Sequence, residues 1–188
     1  AEGVQLRVSG ITAPILIHST SIVSEIDEIV KYRLIPSVSD LGFAKELERR
    51  FRKAGVRRPV HVEVDTGMGR GGTLYEGALP MIREIASLPH LELEGIFTHL
   101  SSSEHLLDYN EMQGELFRRL LDELAAANIR IPVRHMSNSG GILNYPAFHL
   151  DMVRPGIMSY GIYPSPQTET RAYLKPVMSF KTRVVLVK

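Results

Sequence analysis

Four short polar clusters hold most of the residues able to do chemistry. They are Asp65-Thr66-Gly67-Met68-Gly69-Arg70, Thr98-His99, Ser137-Asn138-Ser139-Gly140-Gly141 and Arg154-Pro155-Gly156. Three chemistries compete for the first. Asp65-Thr66-Gly67 matches the aspartic-protease triplet. That reaction needs two carboxylates sharing a proton, and the neighbours of this triplet read as helical, which speaks against an all-β protease. Gly67-x-Gly69-x-x-Gly72 matches the dinucleotide fingerprint. The fingerprint requires a helix to open at once on the pyrophosphate, whereas Thr73-Leu74-Tyr75-Glu76-Gly77 reads as delaying it. Asp65, His99, His135 and Asp151 could in principle ligate a metal, but they lack ligand spacing, so no metal is expected.

Each cluster follows a predicted strand. Residues 15–17, 34–38, 60–64, 93–98 and 133–136 read as strands, and Met152-Val153 begins another. Helices are expected between them: over 21–32 with Ser21 or Ser24 as cap, over 39–54 ending at Gly55, over 78–87, and over 109–127 with a stripe of Met112, Leu116, Leu120 and Leu124. Strands separated by helices imply a parallel α/β sheet. About six β/α units fit a (β/α)8 TIM barrel missing two, because a closed barrel needs about 250 residues. An open doubly wound sheet is the alternative. In a barrel the clusters would converge on one face, where active sites are built.

Composition narrows the partners. The 188 residues carry 22 basic and 21 acidic side chains, a net charge of +1, which argues against a nucleic-acid or membrane surface. Apolar residues make up 44%, enough for a sizeable core, and there is no cysteine for a disulfide, thiolate or nucleophile. A soluble cytosolic protein is expected. The opening Ala1-Glu2-Gly3 reads as the end of a helix stopped at Gly10, and residues 180–187 read as a strand cut short. The chain is therefore expected to be part of a longer one.

Five segments, VHVEVDTGMGRGG, LELEGIFTHLSSSE, RHMSNSGGILN, HLDMVRPGIMSYGIYPS and LKPVMSFKTRV, resemble signature segments of the alanine racemases, in that family's order. The resemblance implies an enzyme dependent on pyridoxal 5′-phosphate (PLP), of fold type III: a barrel followed by a β domain. It implies interconversion of L- and D-alanine for peptidoglycan, in the bacterial cytoplasm, by a homodimer. It places a partial TIM-barrel PLP-binding domain over residues 1–166. Residues 167–188 become a linker and the first strand of the β domain. A serine or broad-specificity racemase on the same scaffold is one alternative, and a non-catalytic PLP carrier is another.

The resemblance also implies roles. Ser139, Gly156 and Ile157 would cradle the cofactor phosphate, since hydroxyl and backbone N–H groups bind anions well. Arg154 would face the pyridine nitrogen, where a permanent cation disfavours protonation. The competing role for Arg154 is an ion pair with Asp151. His99 would lie beside the ring and bond towards Arg154, with Asn138 orienting the same network. Arg70 would contact the phenolic oxygen and the substrate carboxylate region. Glu63 departs from the family, where many members carry a carbamylated lysine, and it is expected to hold Arg70 by a charge-assisted hydrogen bond. His18 is a second departure, at a position usually apolar. The two catalytic bases, a lysine and a tyrosine, are expected outside this chain. None of Lys31, Lys45, Lys53, Lys175, Lys181 and Lys188 lies in the matching context.

Overall fold

A computed structural model describes residues 1–105 and 107–187, so Lys188 lies outside the described residues. Five parallel strands form the main sheet: β1 (Leu16–Thr20), β2 (Ile35–Val38), β3 (Arg58–Asp65), β5 (Leu91–Phe97) and β6 (Val133–His135). A short β4 (Thr73–Leu74) pairs with the end of β3. The helices are α1 (Glu2–Val8), α2 (Ile26–Tyr32), α3 (Leu41–Lys53), α4 (Tyr75–Ala86), α5 (Asp108–Ala126) and α6 (Ser139–Asn144). The main sheet runs β1-β2-β3-β5-β6, in chain order and without reversal. A doubly wound sheet reverses at a switch point, so this order is the arc of a partial α/β barrel.

The core lies between this arc and its helices. Val60, Val62, Val64 and Ile96 of the strands are buried with Phe43, Leu47 and Phe51 of α3, Ile82 and Ile85 of α4, and Phe117, Leu120 and Leu124 of α5. Asp40 starts α3, its carboxylate accepting from the Phe43 N–H at 2.8 Å.

Several expectations shift. Neither Ser21 nor Ser24 caps the second helix. Glu25 instead accepts from the Ile22 N–H at 3.1 Å, opening a 3-10 turn over Val23–Glu25. Helix α4 opens at Tyr75, because Thr73 and Leu74 are spent pairing with β3 and Gly77 is helical. On α5 the buried stripe is Asn110, Gln113, Gly114, Phe117, Leu120 and Leu124, while Met112 faces outward. Two amides thus occupy the inward face where an apolar pattern misses them.

Met152-Val153 forms no strand. The segment runs beside β6, tied by the Asp151 N–H to Arg134 O and the Arg154 N–H to Ser137 O. Bonds three residues apart do not make a regular ladder. Residues 180–187 are exposed and have no sheet partner among the described residues. A strand needs a neighbour to take up its backbone groups.

Candidate active site

The loop after β3 is built around one carboxylate. Asp65 Oδ1 accepts from the N–H groups of Gly67 (2.9 Å), Met68 (2.8 Å) and Gly69 (3.1 Å). The chain closes on itself here, with Gly72 at φ +97° and the place of its absent Cβ 2.8 Å from the Asp65 nitrogen. Asp65 is thereby engaged in holding the Arg70 loop, not presented as a protease acid or metal ligand. His135 and Asp151 are also taken up by neighbours, and no group of three potential ligands is assembled among the described residues.

Arg154 is the hub. One Nη1 proton goes to His135 Nδ1 at 2.6 Å. Nη2 reaches Thr98 O at 2.9 Å, Met136 O at 3.2 Å and His99 Nδ1 at 3.4 Å. The guanidinium lies over the Phe97 ring, 5.3 Å from its centroid. Asp151 does not pair with it; that carboxylate is held by Arg134 at 2.6 Å. Burial lowers the Arg154 pKa to about 10, so it remains a cation at neutral pH.

His99 lies between Arg154 and Asn138, whose Nδ2 is 3.4 Å from His99 Nε2; a neutral ring accepts from only one of these two donors. The Asn138 Oδ1 accepts from Ser103 Oγ at 2.5 Å and from the Gly141 N–H at 3.0 Å, which orients the amide towards His99. Gln113 of α5 fixes the His99 carbonyl at 3.1 Å. Sequence reasoning missed Gln113 because a lone amide in a helix reads as surface.

Ser139, Gly156 and Ile157 line a cavity of about 710 Å³, whose wall also includes His18, His99 and Arg154. Ser139 Oγ accepts from the Met158 N–H at 3.2 Å, joining α6 to the 3-10 turn Ile157–Tyr160. The turn's own N-cap residue, Gly156, has no side chain to cap it, so Ser139 supplies the one side-chain acceptor there among the described residues. Of the expected residues, His99, Asn138, Ser139, Arg154, Gly156 and Ile157 share this cavity. Arg70 faces a neighbouring cavity beside β1, which His18 also lines.

Glu63 departs from expectation. It is buried beneath Gly71, whose absent Cβ would stand 3.1 Å from its Oε2, but it makes no hydrogen bond or ion pair with Arg70 among the described contacts. Burial raises its pKa, and the nearby charges of Arg70 and Arg154 oppose the rise.

His18 is neutral. Its ring lies 4.5 Å from Phe97 and 5.9 Å from His99, and its Nε2 is buried without a partner. Burial, then Arg154, lowers its pKa to about 3. The same causes bring His99 to about 4 and His135 to about 2. Unfolded histidines titrate near 6.5. Below that pH the unfolded chain takes up protons that the folded chain refuses, so stability falls as pH drops from 6.5 towards 4. The expected slope is about 1.4 kcal/mol per pH unit for each such group. Urea unfolding at pH 7, 6 and 5 checks this; a pH-independent midpoint, or no shallowing of the slope in His18→Leu, would contradict it.

The family described as alanine racemase, N-terminal domain, matches residues 1–164.

The chain belongs to the alanine racemase N-terminal domain family.

An alanine racemase of Halothermothrix orenii is 40% identical over 188 residues, covering 100% of this chain and 50% of that protein. Alanine racemase 1 of Caldanaerobacter subterraneus is 40% identical over 189 residues, with 49% of its length covered. Among solved structures, alanine racemase of Clostridium difficile superposes with a TM-score of 0.90 at 33% identity, covering 93% of this chain and 49% of that one. Alanine racemase of Bacillus anthracis, solved with bound L-Ala-P, gives 0.83 at 27% identity. The chain spans about half the length of the curated relatives it matches.

Proposed function

We propose that the protein carrying this chain is a PLP-dependent alanine racemase, and that this chain supplies its cofactor-holding barrel face. The observation that carries the reading is the Arg154 hub on the wall of a cavity that Ser139, Gly156 and Ile157 also line. The residues fit the cofactor. A cavity near 710 Å³ is of the size that takes a small molecule. Ser139 offers a hydroxyl, and Gly156 and Ile157 offer backbone N–H groups with no acceptor among the described hydrogen bonds, a set suited to a phosphate. Arg154, on the same cavity wall, offers a guanidinium with one Nη1 bond formed and a second Nη1 proton unspent, suited to an unprotonated ring nitrogen.

PLP, when bound, supplies an electron sink that acidifies the Cα–H of an amino acid. This chain's residues do the holding. Arg154, kept cationic, disfavours a proton on the ring nitrogen, and so limits electron withdrawal to what removing and returning one proton requires. His99, neutral and flanked by Arg154 and Asn138, borders the ring's place. Ser139, Gly156 and Ile157 hold the phosphate. Arg70 serves the phenolic oxygen and the substrate carboxylate, and Glu63 opposes its charge through space. The lysine and tyrosine bases belong, in this reading, to the half of the family's length that this chain does not span.

Alanine is the proposed substrate, with peptidoglycan supply, a homodimer and a bacterial cytoplasmic setting. The full-coverage relatives named alanine racemase support it over a serine racemase. Their length, twice that of this chain, supports it over a PLP carrier. No helix among the described residues is long and apolar enough to cross a membrane. The barrel domain is proposed to end near residue 166, close to the last matched residue, 164.

The reading is tested by assaying the full-length protein for L- to D-alanine conversion with and without PLP. Cofactor-dependent conversion is expected, and its absence overturns the reading. Glu63→Gln should lower kcat/KM for alanine about tenfold, because a buried charge that steadies Arg70 is lost. Full activity in that variant would refute the role of Glu63.

A further inference from the structure

A buried cation needs an anion or well-directed acceptors, and Arg154 forms no ion pair with any carboxylate among the described residues. The hydrogen bonds behind it show where the compensation comes from. Arg154 can only donate, so His135 Nδ1 must be an acceptor. A neutral imidazole carries its one proton on the other nitrogen, so His135 Nε2–H donates to His61 Nδ1, 2.9 Å away. His61 then holds its proton on Nε2 and donates it to Glu94 Oε2 at 3.1 Å. Reversing any one bond sets two donors face to face or leaves an imidazole with no proton. Burial keeps both rings neutral.

We propose that Glu94, His61 and His135 are positioning residues: a one-way relay, running through the barrel interior, that fixes the Arg154 guanidinium and passes it the influence of a distant carboxylate. The fold makes room for it. His61 of β3 stands opposite Gly95 of β5, and a Cβ on Gly95 would meet the imidazole at 2.2 Å. The Phe97 ring stacks on His135 at 4.7 Å and 15°. Glu94 is 35% exposed, so its carboxyl group keeps contact with water, which avoids the cost of burying a carboxylate against Arg154. Each relay bond polarises the next, which strengthens His135 Nδ1 as an acceptor.

The effect on the cofactor rests on the PLP reading above; the direction of the relay does not. The first test is ¹⁵N NMR of histidine-labelled full-length protein at pH 7.5, without cofactor. His61 and His135 should both be neutral and protonated at Nε2. A proton on Nδ1 of either ring, or an imidazolium, overturns the relay. The second test compares PLP retention and the visible absorption of bound PLP in Glu94→Gln and His61→Phe. Retention should weaken about threefold for Glu94→Gln, which keeps an acceptor but loses the charge, and about tenfold for His61→Phe, which leaves a His135 donor unpaired. The absorption maximum should move in both. Variants that melt earlier yet keep wild-type retention and absorption would reduce these residues to core packing and overturn the proposal. Correct tautomers in a protein that never retains PLP would uphold the relay and defeat the PLP reading alone.

Discussion

Arg154→Ala in the full-length protein should lower kcat for alanine racemisation by a factor of about 10² to 10³, the usual cost of removing a preorganised charged donor from a water-poor site. The same change should loosen PLP, because four acceptors lose their common donor: His135 Nδ1, Thr98 O, Met136 O and His99 Nδ1. Arg154→Lys should rescue little. An ammonium has three donors on a tetrahedral head and cannot reproduce a planar fork shared among four acceptors. Steady-state kinetics and the absorption of bound PLP check both variants. A lysine variant with more than half the wild-type kcat would show that charge alone suffices and that the fork is incidental.

Phe97→Ala should destabilise the protein by about 3–5 kcal/mol, the cost of emptying a large buried aromatic site. Phe97 has no exposed surface. It also floors the site: His18 lies 4.5 Å away, His135 4.7 Å, and the Arg154 guanidinium 5.3 Å. The vacated space would let His135 rotate and would remove the aromatic face under the guanidinium, so PLP retention should fall together with stability. Phe97→Leu keeps most of the volume and should cost less than about 2 kcal/mol, while still losing the cation–π contact. Urea denaturation with parallel PLP titration separates the two effects. A leucine variant that matches wild type in PLP affinity would show that Phe97 acts through packing alone.

Much of the architecture was legible because alternation of strand and helix is a local signal. The segments over 34–38, 60–64 and 93–98 became strands within a residue or two, and the sheet order followed from their parallel connections. The Met152-Val153 segment was not legible, since whether an apolar pair becomes a strand depends on the neighbour it finds. In the site, Arg154, His99 and Ser139 stood out because they follow strand ends in motif-like clusters. His61 did not: within Val60-His61-Val62 it reads as one face of an alternating strand, and only the contact with Gly95 shows that this face is the barrel interior. The residue type of His135 admits a metal that its spacing argues against, and does not show that both its nitrogens are committed to neighbours. Glu63 was assigned a bond to Arg70 from charge complementarity, but burial geometry is set by the glycine turn above it.

The most direct test is a crystal structure of the full-length protein grown with PLP. The ring nitrogen should lie within hydrogen-bond reach of Arg154, with the phosphate at Ser139, Gly156 and Ile157 and His99 at the ring's edge. A cofactor bound elsewhere, or turned so that its phosphate meets Arg154, would contradict the assignment of this face of the barrel.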